Sequence, residues 1–389
     1  MRYLLFLFLF QYVRIIEGII MRKVINFSDP LTLMILMFFG EFLGGLAIVI
    51  YQQYFISSTK KVNESDTNNK PKIAEKYILL HSVVTINKEK NLFKIYFLIF
   101  IAAFFDFNEF IILCIIPNIA MLSPTSDKRL CILTTITSSL LCTFALKIKT
   151  GRHHTFSLIG MSICSFIIVI IELVYKSQEI KFDRFLLAYL LVFCELMFVS
   201  FFDVIEKYLV EHEDFYIFTI LSLEGFYGII LCLIYALSTN DNPINTIDKA
   251  YKELDVVGKI LLILFMILYF VLSAGLNIYK IICNIVYTPM VKSLAGYFLN
   301  PFVIIYYFIY EDDFMSEGSK NYFYFFSNII LSSIINFFAC IYNEFFVLNC
   351  FSLKKDTHFG ITERSHKNVL HELEQFDQEN SDNSLSITE

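Results

Sequence analysis

Asp106 and Glu109 stand three residues apart, with apolar neighbours from Ile95 to Phe105 and from Phe110 to Ile116. On a helix that spacing places both on one face. Two carboxyl groups close together in an apolar medium cannot both ionise easily. That is the chemistry of a proton carrier or a cation site. The plainer use is a protonated structural carboxyl hydrogen-bonded to a neighbouring helix. Glu41 sits in the same way inside Met34–Tyr51, and Glu224 inside Phe215–Leu237. Their surroundings match: Glu41-Phe-Leu-Gly-Gly45 and Glu224-Gly-Phe-Tyr-Gly228 both read Glu-x3-Gly. Lys280, Lys292 and Arg129 are basic residues near apolar runs, suited either to an anionic ligand or to reaching a membrane interface along their stems. Asp203 and Glu206 share a helix face, and beside Lys207 they are expected to form a solvated helix end. Tyr342-Asn343-Glu344 interrupts the last apolar run, with Asn343 expected to hydrogen-bond between helices. His153-His154 are expected in a short loop, with no carboxylate or cysteine nearby in sequence, so no metal site is expected and no cofactor is implied. No phosphate-binding loop, nucleophile elbow, zinc-protease or kinase pattern occurs, and the expectation is a protein that is not an enzyme.

The elements that position these groups follow from composition. Of the 389 residues, 57% are hydrophobic and 17% charged, and the mean hydropathy is +0.62. Soluble domains are typically about 45–50% apolar and about 25% charged. A chain this apolar cannot cover itself with polar groups, so a bilayer is its solvent. The 31 basic and 37 acidic residues leave a net charge of −6, which excludes a basic field for nucleic acid. The nine cysteines form no Cys-x-x-Cys pair or zinc spacing and read as small apolar residues.

A spanning helix needs about 20 mostly apolar residues. The pattern predicts ten, over 3–25, 31–55, 92–117, 121–146, 154–175, 183–209, 214–238, 256–286, 289–310 and 321–350, with Asn300-Pro301 breaking the ninth. The first is read as a retained helix rather than a signal peptide, because no small-residue cleavage site follows and Gln11, Arg14 and Glu17 interrupt it. Polar loops are expected at 56–91 and 239–255, and a disordered tail at 352–389. Lysines 60, 61, 70, 72, 76, 88 and 90 weight the loop 56–91 toward the cytosol, which puts both termini there as well.

The two Glu-x3-Gly strings fall on the second and seventh expected helices. That correspondence suits an internal repeat, about 1–175 and 183–350, within one domain over 1–351. A weaker echo links Asn108 and Cys114 with Asn277 and Cys283. Five crossings flip the chain, so the halves must be inverted. Inverted repeats mark alternating-access transporters, with the site at the repeat interface.

Several strings resemble the drug/metabolite transporter superfamily, in particular the F-type branch of solute carrier family 35, relatives of the nucleotide-sugar transporters. Phe39-Gly-Glu-Phe42 is similar to its Gly-Glu-Phe, and Leu223-Glu-Gly-Phe-Tyr-Gly228 to its Glu-Gly-Leu-Phe-Gly. Ile205-Glu-Lys-Tyr-Leu209 resembles its Glu-Glu-Lys, and Ala103-Phe-Phe-Asp106 its third-helix Asp. Arg129 falls at the position of its fourth-helix Arg, and Ile341-Tyr-Asn343 resembles its Leu-Tyr-Asn. The resemblance spans roughly residues 1–350. It implies an all-α polytopic membrane protein, ten helices in an inverted five-plus-five repeat, a central cavity and residence in an internal membrane of Golgi, endosomal or lysosomal type. Two stretches depart from the branch: Asn108-Glu109-Phe110 replaces small polar residues, and Leu294-Ala-Gly-Tyr-Phe-Leu-Asn300 lacks the charged and hydroxyl groups of its ninth helix. Its typical nucleotide-sugar recognition residues therefore do not carry over.

The expectation is a secondary transporter of a small polar organic solute, a nucleotide sugar or related metabolite among the options, coupled to protons or working by exchange. Its site residues are expected to be Glu41, Asp106, Glu109 and Glu224, with Arg129, Lys280 and Asn343 around them. The alternative is a non-transporting membrane scaffold or receptor whose carboxylates are packing groups. The expected partners are the solute and the bilayer, with no nucleic acid and a homodimer left open.

Overall fold

A computed structural model describes residues 6, 9–13, 16, 27, 29–63, 91–120, 132–148, 150–176, 182–239, 242–287, 289–298, 300–310, 315–316, 319–320, 322–348 and 353–357. Among the described residues the architecture is all-helical apart from one two-residue antiparallel pair, Met315–Ser316 with Ser319–Lys320. The helices are α1 (Pro30–Asn63), α2 (Leu92–Ala120), α3 (Ile132–Ala145), α4 (Arg152–Lys176), α5 (Phe182–Glu211), α6 (Ile217–Thr239), α7 (Pro243–Glu253), α8 (Val256–Val286), α9 (Pro289–Tyr297), α10 (Asn300–Tyr310) and α11 (Tyr322–Tyr342). Seven of them, α1, α2, α4, α5, α6, α8 and α11, are long and apolar enough to cross a bilayer. In hydrocarbon every backbone N–H and C=O must be satisfied within the segment, which is why such aromatic and β-branched runs are helical despite modest intrinsic propensity.

The burial pattern is the reverse of a soluble protein's. Large apolar side chains face outward, with Phe93, Phe144 and Leu237 each 80% exposed, while the interior holds Glu41, Asp106, Asp203, Glu206, Lys207, Glu224 and Lys292. Chains whose solvent is lipid bury polar groups and expose apolar ones.

The remaining expected spans differ in extent. Only 132–145 of the expected 121–146 helix is a described helix, and its buried side chains are largely hydroxylated: Thr134, Thr135, Thr137, Ser138 and Ser139. The expected helix at 289–310 is two short ones, α9 and α10. Pro289 opens α9 at a position where its missing N–H costs nothing, and Pro301 does the same in the first turn of α10. The last helix ends at Tyr342 instead of 350, at the expected Tyr-Asn-Glu interruption, where Glu344 takes a positive φ of 58°. The expected loop 239–255 contains α7. Asn242 caps it, accepting from the N–H of Ile244 at 3.0 Å and of Asn245 at 3.3 Å, and Pro243 stands in its first turn. Ile247, Ala250 and Leu254 pack α7 against Leu262 and Phe27. Of the expected first helix only residues 6, 9–13 and 16 are described within 3–25; Phe6 and Phe10 lie against Tyr279 of α8. Residues 64–90 of the polar loop and 358–389 of the tail lie outside the described residues.

α1 packs between α6 and α8. It runs antiparallel to α6: Phe38 lies against Gly228, Glu41 against Gly225, and Gly45 against Ser222 and Phe218. Two glycines set the spacing. A Cβ on Gly225 would stand 2.6 Å from the Phe38 carbonyl oxygen, and one on Gly45 would stand 2.8 Å from both the Phe218 oxygen and the Ser222 nitrogen. Close backbones of this kind are how helices associate without a hydrophobic drive between them. The Ser222 hydroxyl donates across the crossing to the Phe42 carbonyl at 3.2 Å. At one end of the bundle Lys94, at the start of α2, pairs with Glu213 just beyond α5 at 2.5 Å and bonds the Tyr208 hydroxyl at 3.0 Å. The Lys94 ammonium holds the Glu213 carboxyl below the ordinary carboxylate range. The pair fixes the start of α2 and the end of α5 at the same end of the bundle.

Because the atoms facing Gly225 are backbone, no side-chain rotation relieves a clash there. Gly225→Ala should lower the thermal unfolding midpoint in detergent, by the equivalent of about 3 kcal/mol or more, the upper end of overpacking costs. Gly44→Ala should do much less, since its Cβ would meet the side chains of Ala274 at 3.3 Å and Ile278 at 3.4 Å, with the nearest backbone atom, Ala274 Cα, no closer than 3.9 Å. Equal losses in the two variants would mean that the α1–α6 crossing is not as close as described.

Candidate functional site

Two thirds of the way along α5, Asp203, Glu206 and Lys207 occupy one face by their i, i+3, i+4 spacing. All three are buried, with Lys207 only 3% exposed, which corrects the expectation of a solvated helix end. The reason is tertiary: the C-terminal end of α8 and the short helix α9 close over that face. Lys207 Nζ donates to the carbonyls of Asn284 at 3.1 Å, Ile285 at 3.3 Å and Tyr287 at 3.0 Å. A helix leaves its last carbonyls without partners and carries partial negative charge there, so a buried ammonium is a fitting cap. Glu211 stands 3.2 Å from the same ammonium.

Asn284 continues the network. Its amide nitrogen donates to the Asp203 carbonyl oxygen at 2.7 Å and to Glu206 Oε2 at 2.8 Å. Lys292 on α9 pairs with Asp203 Oδ1 and also lies over the Phe202 ring, 5.6 Å from its centroid. α9 is held against α3 by the hydroxyls of Ser293 and Thr135, 2.7 Å apart, and α3 against α5 by the Ser200 hydroxyl donating to the Thr134 carbonyl at 3.2 Å.

The carboxylates singled out in the sequence adjoin this network. Glu41 on α1 accepts a hydrogen bond from the Asn277 amide of α8. Glu224 on α6 is 1% exposed, and neither of its oxygens has a hydrogen-bond partner among the described residues. It lies within electrostatic range of Glu206, Glu41, Asp106 and Lys292. Asp106 is buried on α2; Glu109 is half-buried and within electrostatic range of Lys292. Glu41, Asp106 and Glu224 are thus brought together with Glu206 and Lys292, on α1, α2, α6, α5 and α9.

The other expected site residues stand differently. Lys280 is half-buried on α8, within electrostatic range of Glu206. Asn343 is half-buried beyond the end of α11, where its amide nitrogen donates back to the Ala339 carbonyl at 3.0 Å rather than across to another helix. Arg129 lies outside the described residues. The Asn108 echo has no chemical counterpart, since Asn108 returns its amide to the Phe104 carbonyl at 2.6 Å whereas Asn277 reaches Glu41. His153 and His154 sit on the first turn of α4 rather than in a loop, and a carboxylate remote in sequence does reach them: His153 Nε2 is 3.3 Å from Glu344 Oε1. The His154 ring packs on Tyr342, 4.5 Å between centroids.

Sequence reasoning had Asp203, Glu206, Lys207 and Lys292 in view and assigned the first three to solvent. The signal that would have placed them inside is α5 itself, a helix of 30 residues whose last eight before Glu211 remain largely apolar around the charges. Asn284 carried no signal of its own. The seven long apolar helices with this interior define a multi-pass membrane protein. No family model matches the chain, and no curated protein matches it.

Removing one partner of a buried ion pair leaves the other charge uncompensated, at about 3–5 kcal/mol. Lys292→Met should therefore destabilise the protein strongly in detergent unfolding. Asp203→Asn combined with Lys292→Met should recover most of that loss, because no buried charge is then orphaned at the pair. A double variant as unstable as the single would show that Asp203 and Lys292 act independently.

Proposed function

We propose that the chain is a secondary-active transporter of the drug/metabolite transporter kind, residing in an internal membrane and moving a small polar organic solute by alternating access. The observation that carries this reading is the group of buried charges on five facing helices of an otherwise apolar bundle. Ionisable groups inside a membrane are costly, and they mark solute paths and proton relays.

Two further features support it. The α1–α6 crossing falls at the paired Glu-x3-Gly strings, where Glu41 meets Gly225 next to Glu224. An inverted repeat would place its pseudo-twofold axis at such a self-equivalent crossing. Under that repeat α1 would correspond to α6, α2 to α8, α3 to α9 with α10, and α4 to α11. The contacts α1 with α6, α3 with α9 and α4 with α11 would then be self-equivalent, and α1 with α8 would map onto α2 with α6; all of these pairs pack. Prolines at the starts of α9 and α10 interrupt the helix that would form the repeat's counterpart of α3, and discontinuous helices are a recurrent feature of transport sites.

The purified protein in liposomes, assayed for saturable uptake over nucleotide sugars, nucleotides and small metabolites, tests the reading. A transported solute should show pH-dependent flux, and Asp106→Asn should flatten that pH profile while the protein stays folded, since the amide keeps the shape. A wild-type pH profile in Asp106→Asn would remove Asp106 from the coupling role. Absence of flux for every class would favour the non-transporting scaffold.

A further inference from the structure

The turn between α8 and α9 ends one helix and starts another within two residues: α8 closes at Val286 and α9 opens at Pro289. The carbonyls that end a helix need donors from outside it. For Ile285 the residue four positions on is Pro289, which has no N–H to give. Lys207 of α5 supplies the missing donors. Its ammonium reaches the carbonyls of Asn284 at 3.1 Å, Ile285 at 3.3 Å and Tyr287 at 3.0 Å. One flexible side chain thus holds the backbone of the turn from another helix.

Three side-chain contacts fasten α8 and α9 to this face of α5, and they lie at different depths. Lys292 pairs with Asp203, while Asn284 bonds the Asp203 carbonyl and Glu206. Asp203 stands one turn farther from the end of α5 than Lys207 and is 1% exposed. Parting Lys292 from Asp203 would leave both charges in apolar surroundings, at high cost. Lys207 is placed differently. Its side chain is 3% exposed, yet Glu211, 3.2 Å from the ammonium and one turn on, is 41% exposed. The turn therefore covers the ammonium at the rim of the bundle. When the turn lifts, the ammonium and the three carbonyls pass to water and not to hydrocarbon. α9 is nine residues long and lies between the turn and the break before α10. Helix ends of this kind absorb the backbone changes of a hinge. A tilt about the deeper contacts breaks the Lys207 cap first and leaves Lys292 on Asp203.

Resting on the transporter reading above, we propose that Lys207 is the lock of the alternating-access cycle: its ammonium on the α8–α9 turn holds that end of the bundle closed, and release of the three carbonyls is the step that opens it.

Spin labels on the full-length protein in liposomes test this. One pair, at His212 and Val286, reports the lock end, and a second, at Ser238 and Val256, the opposite end; all four positions are exposed. Lys207→Met keeps the length of the side chain and removes its donors. It should raise the ratio of long to short distances at the lock end by about tenfold, the worth of hydrogen bonds from a charged donor. The opposite pair should shift toward its shorter distance, and both pairs should keep the two distances of the wild type. Lys207→Arg, which retains charged donors, should shift the ratio less. A cap with only a structural role would broaden the distances without moving them in opposite senses, and that result would overturn the lock. Should Lys207→Met fail to fold, acetylation of the wild-type protein by a water-soluble reagent, read by mass spectrometry against the exposed Lys252, decides the matter. Reactivity of Lys207 that rises with the long lock-end population supports the lock, and a Lys207 that stays protected in that population overturns it. Opposite shifts at the two ends that are indifferent to Lys207→Met would overturn the lock and leave the transporter reading standing. Opening of the lock end in Lys207→Met with no closing of the other end would support the lock and count against alternating access.

Discussion

A charge in hydrocarbon must find a partner, and the rest of this structure is arranged around that constraint. The exterior is Phe, Leu and Ile facing lipid, so every polar group must be satisfied inside the bundle. Lys207 illustrates the solution. One buried ammonium satisfies the carbonyls that end α8, and in doing so ties α5 to the break between α8 and α9. Asn284 then spans Asp203 and Glu206, and Lys292 closes the network from α9. Three helix ends are fixed relative to one another by polar contacts rather than by apolar packing, which lipid supplies equally well to every helix.

The glycines of the α1–α6 crossing serve the same end. Close backbones bring Glu41 and Glu224 to one level of the bundle, with Glu224 within electrostatic range of Asp106 and Glu206. Wider spacing would leave room for lipid or side chains between them and would separate the carboxylates. Packing and chemistry are thus coupled: the residue that lets the helices approach, Gly225, is the neighbour of the carboxylate whose oxygens have no hydrogen-bond partner among the described residues.

Much of this was legible in the sequence. Hydropathy located the seven long helices, because lipid exposure demands long apolar runs and little else. Glu41, Asp106 and Glu224 stood out since a single carboxylate is conspicuous among Phe, Ile and Leu. The Asp203–Lys207 face was misjudged because the end of a helix looks the same in sequence whether solvent or another helix covers it. α7 was missed since its short amphipathic pattern is weak beside the long apolar runs, and its capping by Asn242 is a local signal easily lost in a polar loop. The approach of Glu344 to His153 joins residues nearly two hundred positions apart, which spacing within one segment cannot reveal.

Alternating access requires the two ends of the bundle to open in turn, and distances between spin labels measure that directly. One pair, at Glu211 and Val286, reports the end where Lys207 caps α8; the other, at Ser238 and Val256, reports the opposite end, and all four positions are exposed. In liposomes each pair should show two distance populations, and a change of pH should shift them in opposite senses, one end closing as the other opens. A single unchanging distance at both ends across pH would contradict alternating access and leave the buried charges as structural groups.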